Sequence, residues 1–312
     1  AVEELVDTAI EMGGTLSAEH GTGLTRAPHI ERELGSAMEV MRKIKGALDP
    51  DHILNPGKMA LEETDGEADI YSYFAFKPLT DRPEVQNSYG EEVDNEVLAC
   101  IHCGFCRLGC PTFSVTQRES KNARGRNALA YYFMNGDIDP SSELAESFYT
   151  CTTCQACTYF CPAQIRVDEI VEGVRKKLYQ SGFTPAPVLG IRDNIERSGN
   201  VYAGVPEERI EIYPPALREK ARTGELKETA ETLLFMGCVP SYLDMKMVPG
   251  LIKPLDKAGV DYTVLGKDES CCGFPLFLMG SDDFRPHAER LVERIRSTRA
   301  HELVTPCAGC YK

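Results

Sequence analysis

Apolar residues fall along the 312-residue chain in two rhythms, and the change between them divides it. Near the start, Leu5, Val6 and Ile10 sit at helical spacing. Ile30, Leu34, Met41, Ile44 and Leu48 recur on one face of a second helix, expected from about Pro28 to Leu48. Pro28 starts that helix and the Asp49-Pro50 step stops it. Between the two, Gly13 to Gly23 reads as a glycine-punctuated strand and loop. Helices are also expected at about Arg124–Met134 and Val167–Leu178. In the latter, Val167, Ile170, Val171, Val174 and Leu178 form a stripe that is core by default. From Thr229 the rhythm becomes α/β. Short buried strands at Leu233–Met236, Asp261–Leu265 and Leu303–Thr305 alternate with helices at about 242–258 and 283–299.

The pattern gives five segments: 1–60, 61–97, 98–181, 182–228 and 229–312. Residues 61–97 hold eleven acidic residues against Lys77 and Arg82, a net charge of −9, and read as a solvated linker. The 182–228 stretch, rich in Pro and Gly, reads as a connection. That acidic run supplies most of the chain's formal charge of −14, which makes nucleic acid a poor partner. Hydrophobic residues at 42% and charged residues at 26% fit a globular chain. Apolar runs such as Leu233–Met236 are too short to cross a bilayer. There is no initiator Met and no signal peptide. The chain opens inside a helix and stops two residues past a Cys-x-x-Cys, so it reads as a piece of a longer protein.

Thirteen cysteines carry the chemistry. Cys100, Cys103, Cys106 and Cys110 form C-x2-C-x2-C-x3-C before Pro111. Cys151, Cys154, Cys157 and Cys161 repeat that spacing before Pro162. An odd total in tight clusters is unlike a secreted disulfide framework. In this pattern three cysteines hold one [4Fe–4S] cluster and the fourth reaches to the other. One cluster would therefore take Cys100, Cys103, Cys106 and Cys161, and the second Cys151, Cys154, Cys157 and Cys110. A pair of zinc sites is the bland alternative. Arg118, Lys121, Arg124 and Arg126, opposed only by Glu119, either offset the clusters' negative charge or form a solvated helix face. The remaining cysteines, Cys238, Cys271, Cys272, Cys307 and Cys310, each follow the carboxyl end of an expected strand. In an open parallel sheet that is the edge where ligands collect, so all five would meet at one rim and bind a cofactor.

The block Cys238-x32-Cys271-Cys272-x34-Cys307-x2-Cys310 resembles the cysteine-rich CCG domain of heterodisulfide reductases and glycolate oxidase iron–sulfur subunits. The resemblance implies a noncubane [4Fe–4S] cluster or zinc there. Those domains usually occur twice, and one copy is present here. Upstream, Glu19-His20-Gly21-Thr22-Gly23 and Asn55-Pro56-Gly57-Lys58 are similar to the carboxyl-terminal end of FAD-linked 2-hydroxyacid oxidases. By that resemblance His20 is the base that takes the hydroxyl proton, Glu19 holds a metal or orients substrate, and Asn55 and Lys58 contact FAD. Most of the flavin site would lie outside these residues. The order of domains matches fused D-lactate or glycolate dehydrogenases.

The expected fold is α+β and multidomain. It comprises the C-terminal piece of an FAD-linked oxidase domain (1–60), an α-helical ferredoxin-like two-cluster domain (98–181) and an α/β CCG domain with a parallel sheet (229–312). The expected protein is an enzyme: a D-2-hydroxyacid, D-lactate or glycolate, is oxidised, and electrons pass from FAD through two [4Fe–4S] clusters to the CCG site. The expected acceptor is a quinone, an electron-transfer protein or a disulfide. The alternatives are a heterodisulfide reductase-like electron-transfer protein and a non-catalytic module with structural zinc. Oxygen-sensitive clusters and unpaired thiolates point to the cytoplasm or the inner face of the membrane.

Overall fold

The chain is described here by a computed structural model over residues 2–23, 26–55, 57–61 and 85–311. It divides into two compact units, Ala1–Pro83 and Glu84–Lys312. The first unit holds helices α1 (Val2–Glu11), α2 (Ile30–Leu34) and α3 (Ala37–Leu48). The continuous helix expected over 28–48 is thus broken. The break is at Gly35, with φ 51° and ψ −128°, a backbone conformation that residues with a β-carbon avoid. The apolar stripe splits with it: Ile30 is buried, whereas Ile44 and Leu48 face outward, and the buried residue of α3 is Met38, which lies off that stripe.

No strand forms over residues 13–23, which run as turns. Glu33 fixes this loop by accepting from Thr15 Oγ1 at 2.7 Å and the Leu16 amide at 2.6 Å. The same two bonds, Thr15 first, hold the Glu33 carboxyl below its ordinary range.

The second unit begins with helices α4 (Glu91–Leu98), α5 (Pro111–Thr116), α6 (Ala123–Asn135), α7 (Ser142–Tyr149), α8 (Ala156–Phe160) and α9 (Val167–Gln180). Helix α6 starts where the Asn122 side chain accepts from the Gly125 amide, and ends at Gly136 with φ 81°. Ser141 caps α7 in the same way. Four of these helices share one core. Val97 of α4, Ala130 and Phe133 of α6 and Phe148 of α7 meet the α9 stripe Ile170, Val171, Val174 and Leu178. Residues 91–97, read from charge as linker, are therefore a packed helix with Val97 fully buried. Residues 62–84 of that acidic segment lie outside the described residues.

The stretch expected as connection, 182–228, folds as α10 (Ala186–Ser198), a 3-10 segment (Pro206–Ile212) and α11 (Pro215–Thr223). Beyond it lie β1 (Thr232–Leu234), α12 (Cys238–Tyr242), α13 (Met247–Ala258), β2 (Tyr262–Val264), α14 (Phe274–Met279), α15 (Phe284–Ser297), β3 (Glu302–Val304) and α16 (Ala308–Tyr311). The three strands are parallel in the order β2-β1-β3, with Leu233 opposite Thr263 and Leu303. Leu233 and Leu234 on the central strand are fully buried. The second unit is thus mostly helical, with one small parallel sheet.

Its helical and α/β parts are joined through α9 and α14. Tyr149 Oη donates to the Met279 carbonyl at 2.8 Å. Gly280 approaches α9 so closely that a β-carbon there would sit 2.5 Å from Lys176 Cα.

Candidate functional site

The two C-x2-C-x2-C loops are copies in backbone as well as in spacing. The first follows α4 and the second follows α7. His102 (φ 55°) and Gly104 (φ 83°) in the first match Thr153 (φ 49°) and Gln155 (φ 63°) in the second. Left-handed residues on both sides of the middle cysteine curl each loop tightly. The fourth cysteines also match: Cys110 has φ −80° and ψ 111°, and Cys161 has φ −81° and ψ 118°.

Each loop wraps a hollow. Cys100, Cys103 and Cys106 line the first together with Cys161, Arg124 and Asn127. Cys151, Cys154 and Cys157 line the second together with Cys110, Arg126, Gln155 and Asp168. The fourth cysteine of each motif therefore lines the other motif's hollow. Ala123 and Val167 belong to both walls, so the hollows are neighbours.

Among the described residues no three Cys, His, Asp or Glu side chains converge to hold a single metal ion. Zinc draws its ligands to about 2.0–2.3 Å from one point. Four sulfurs spread around a hollow fit the larger iron–sulfur cube instead. All thirteen cysteines are unbridged.

The thiols report the confinement. Burial, then the charges of Cys100, Cys161 and Cys103, pushes Cys106 up to about 11. Burial, then Cys151 and Asp168, pushes Cys157 up to about 12. Four thiolates this close oppose one another until a cation neutralises them, so metal loading and thiol deprotonation are coupled. Cys110 differs. Burial works to raise it, but the Thr112 hydroxyl, the Phe113 amide and the Arg126 guanidinium together bring it down.

The remaining five cysteines meet at the carboxyl edge of the sheet. Cys238 opens α12 past β1, Cys271 and Cys272 precede α14, and Cys307 and Cys310 bracket the start of α16 past β3. The Cys271 thiol lies within hydrogen-bonding reach of Cys238 and Cys272, and the Cys310 thiol within reach of Cys272 and Cys307. Accepting from Cys271 and Cys310 holds Cys272 down at about 3. A β-carbon on Gly237 would lie 2.8 Å from Cys310 Sγ, so only glycine leaves room there.

A buried ion pair braces this edge. Glu269 accepts from the Met236 amide at 3.0 Å, the Gly237 amide at 2.8 Å and Arg209 Nη1 at 2.5 Å. Arg209 also donates to the Gly237 carbonyl and to Ser241 Oγ. Burial pushes the Glu269 carboxyl up, and the Arg209 charge opposes that. His287 Nε2 lies 2.7 Å from the Cys271 carbonyl. None of these three residues stands out in the sequence, although Glu269 lies only two positions before Cys271.

In the first unit, the Met59 amide donates to the Gly23 carbonyl at 2.8 Å, tying the Glu19-to-Gly23 loop to the segment containing Lys58. Asn55 has φ 50°, and its carbonyl accepts from the Lys58 amide at 3.3 Å. His20 Nε2 lies 3.6 Å from Glu19 Oε1, with the side chains 68% and 86% exposed. The pair thus stands on an open edge.

Comparison with known families agrees with this division. Residues 1–59 match the C-terminal domain of FAD linked oxidases, residues 96–165 a 4Fe-4S dicluster domain and residues 232–312 a cysteine-rich (CCG) domain. The chain is 27% identical over 237 residues to a component of the dihydromethanophenazine:CoB–CoM heterodisulfide reductase of Methanosarcina acetivorans, covering 70% of this chain and 56% of the relative. It is 26% identical over 211 residues to the glycolate oxidase iron-sulfur subunit of Escherichia coli, covering 60% and 49%. A probable membrane-anchored ferredoxin of Chromohalobacter salexigens is 26% identical over 241 residues, covering 66% and 35%. The chain spans about half the length of the first two relatives. No solved structure matches. The chain is therefore related to iron–sulfur components of oxidoreductases. No helix among the described residues is long and apolar enough to cross a membrane.

Proposed function

We propose that the chain belongs to an iron–sulfur flavoprotein dehydrogenase. It would oxidise a D-2-hydroxyacid, D-lactate or glycolate, and pass electrons from FAD through two [4Fe–4S] clusters to the cysteine-rich edge and an acceptor. The observation that carries the electron-transfer part of this reading is the pair of adjoining hollows with exchanged fourth cysteines, and the flavin part is supported by the match of residues 1–59 to the C-terminal domain of FAD linked oxidases. Cys100, Cys103, Cys106 and Cys161 would hold one cluster, and Cys151, Cys154, Cys157 and Cys110 the other. Cys238, Cys271, Cys272, Cys307 and Cys310 would hold a noncubane cluster or zinc.

When bound, FAD supplies a hydride acceptor and the cubes supply one-electron carriers. The chain's own part in the oxidation is the proton. A neutral His20 takes it from the substrate hydroxyl, and Glu19, 3.6 Å away, stabilises the imidazolium or holds a metal. Asn55 and Lys58 would steady the flavin from the same edge. The acceptor would be a quinone, an electron-transfer protein or a disulfide. The cytoplasm or the inner face of the membrane would suit such chemistry, and one relative is named as a membrane-anchored ferredoxin.

A Glu19→Ala, His20→Ala variant tests the reading. It should lose D-lactate- or glycolate-dependent reduction of the clusters while dithionite still reduces them fully. Full 2-hydroxyacid oxidation in that variant would remove Glu19 and His20 from the mechanism, and an unmodified protein that oxidises neither D-lactate nor glycolate would move the assignment to a second reading, heterodisulfide reductase-like electron transfer. Similarity to the Methanosarcina heterodisulfide reductase component over 70% of the chain favours that alternative. Stoichiometric zinc without sulfide would contradict both.

A further inference from the structure

Two guanidinium groups are buried beside the second hollow. Arg126 is 1% exposed and Arg175 is 4% exposed. Arg126, in that hollow's wall, donates to neutral oxygens: the Ser147 carbonyl at 2.7 Å, Thr112 Oγ1 at 3.2 Å and Thr150 Oγ1 at 3.2 Å. Arg175 donates to the carbonyls of Phe148, Leu278 and, at 2.6 Å, Cys151. Buried cations without close anions are costly. Thiols of the second hollow lie within electrostatic reach of both, Cys110 of Arg126 and Cys151 of Arg175. The Cys151 thiolate acts on Arg175 more strongly than the Glu172 carboxylate does. The other charges nearby are Asp168, which also lines that hollow and accepts from Gln155, and Lys121, which is paired with Glu146. Counted by sign these groups cancel, Arg126, Arg175 and Lys121 against Glu172, Asp168 and Glu146, but Arg126 and Arg175 are sealed from water and bonded to neutral oxygens, so their charge reaches the hollow little screened.

The first hollow is walled differently. Arg124 there is ion-paired with Glu119 at 2.6 Å and partly exposed, and Arg107 leans on the same carboxylate.

We propose that Arg126 and Arg175 make the second hollow's cluster the higher-potential member of the pair, so that the electron comes to rest beside the cysteine-rich edge. The inference depends on both hollows holding [4Fe–4S] clusters. Reduction adds one negative charge to a cluster, and a buried cation stabilises that charge. One electron leaves the first site and enters the second, with no bond made or broken and no proton required. Arg175 also fixes the direction spatially. Through the Cys151 and Leu278 carbonyls it ties the second hollow to α14, the helix that follows Cys271 and Cys272.

The test is an anaerobic redox titration of the full chain, followed by electron paramagnetic resonance. Cys161→Ser removes a ligand of the first hollow, so the signal that survives unchanged belongs to the second. That signal should be the higher-potential one in the unmodified protein. If it is the lower, the proposal is overturned, whatever the other variants do.

Arg126→Gln should keep its iron and sulfide while the equilibrium constant for reducing the second site falls at least tenfold, 59 mV for one electron. Arg126→Lys should restore most of the loss, and Arg124→Gln should leave the higher-potential signal in place. An Arg126→Gln protein with full iron and an unshifted potential would also overturn the proposal. Failure to find two cluster signals in the unmodified protein would instead remove the cluster reading beneath it.

Discussion

The two hollows are built alike and charged differently. Both use the same cysteine spacing, the same pair of left-handed residues and an extended fourth cysteine supplied by the other motif. Around the first, the cations sit near the surface and share Glu119. Around the second, Arg126 and Arg175 are sealed in and bonded to neutral oxygens. Spacing and backbone decide what can bind in each hollow. The helices packed behind them decide how each behaves once loaded. A repeated motif is therefore no guide to repeated properties.

Exchanging ligands is the part of that likeness most open to attack. Cys110→Ser should lose the same cluster signal as Cys154→Ser and leave the one removed by Cys103→Ser. Cys161→Ser should follow Cys103→Ser. Either variant should cost about half of the iron in the hollows. If each variant instead loses the signal of its own motif, the exchange is wrong.

A change at the sheet edge should separate the hollows from the pentad of cysteines. Glu269→Gln leaves Arg209 buried without its counter-charge, a loss of about 3–5 kcal/mol in chemical unfolding. The cluster signals of both hollows should survive in whatever folds. Their disappearance at full cysteine occupancy would show that the three sites are not independent.

A smaller effect should fall on both hollows at once. A β-carbon on Gly125 would lie 1.9 Å from the Glu119 carbonyl, forcing residues 119–121 away from α6. Gly125→Ala should cost about 1–3 kcal/mol. It should also broaden both signals, because Ala123, two residues away, lines both hollows. Broadening of one signal alone would argue against the shared wall.

Much of this arrangement was legible in the chain. Cysteine spacing pointed to the grouping of eight residues. The three strands appeared within a residue or two of their expected places, because short buried runs bounded by turns are a local signal. What escaped is non-local. Arg175 owes its place to carbonyls 24 and 103 residues distant, and no window of sequence contains those partners. Residues 91–97 look like solvated linker from their charge, yet one face, ending in Val97, is core. The break at Gly35 was hidden by apolar spacing that runs straight through it. Glu269 is silent in the sequence because a lone acid before two cysteines carries no pattern of its own.

The central claim is that eight cysteines hold two neighbouring cubes. It is tested most directly by iron and sulfide analysis of the anaerobically purified protein, with electron paramagnetic resonance of its reduced form. The account predicts at least about eight iron and eight sulfide per chain, and a spectrum broadened by two paramagnetic clusters lying side by side. Zinc in place of iron, or a reduced protein with no paramagnetic signal, would contradict it.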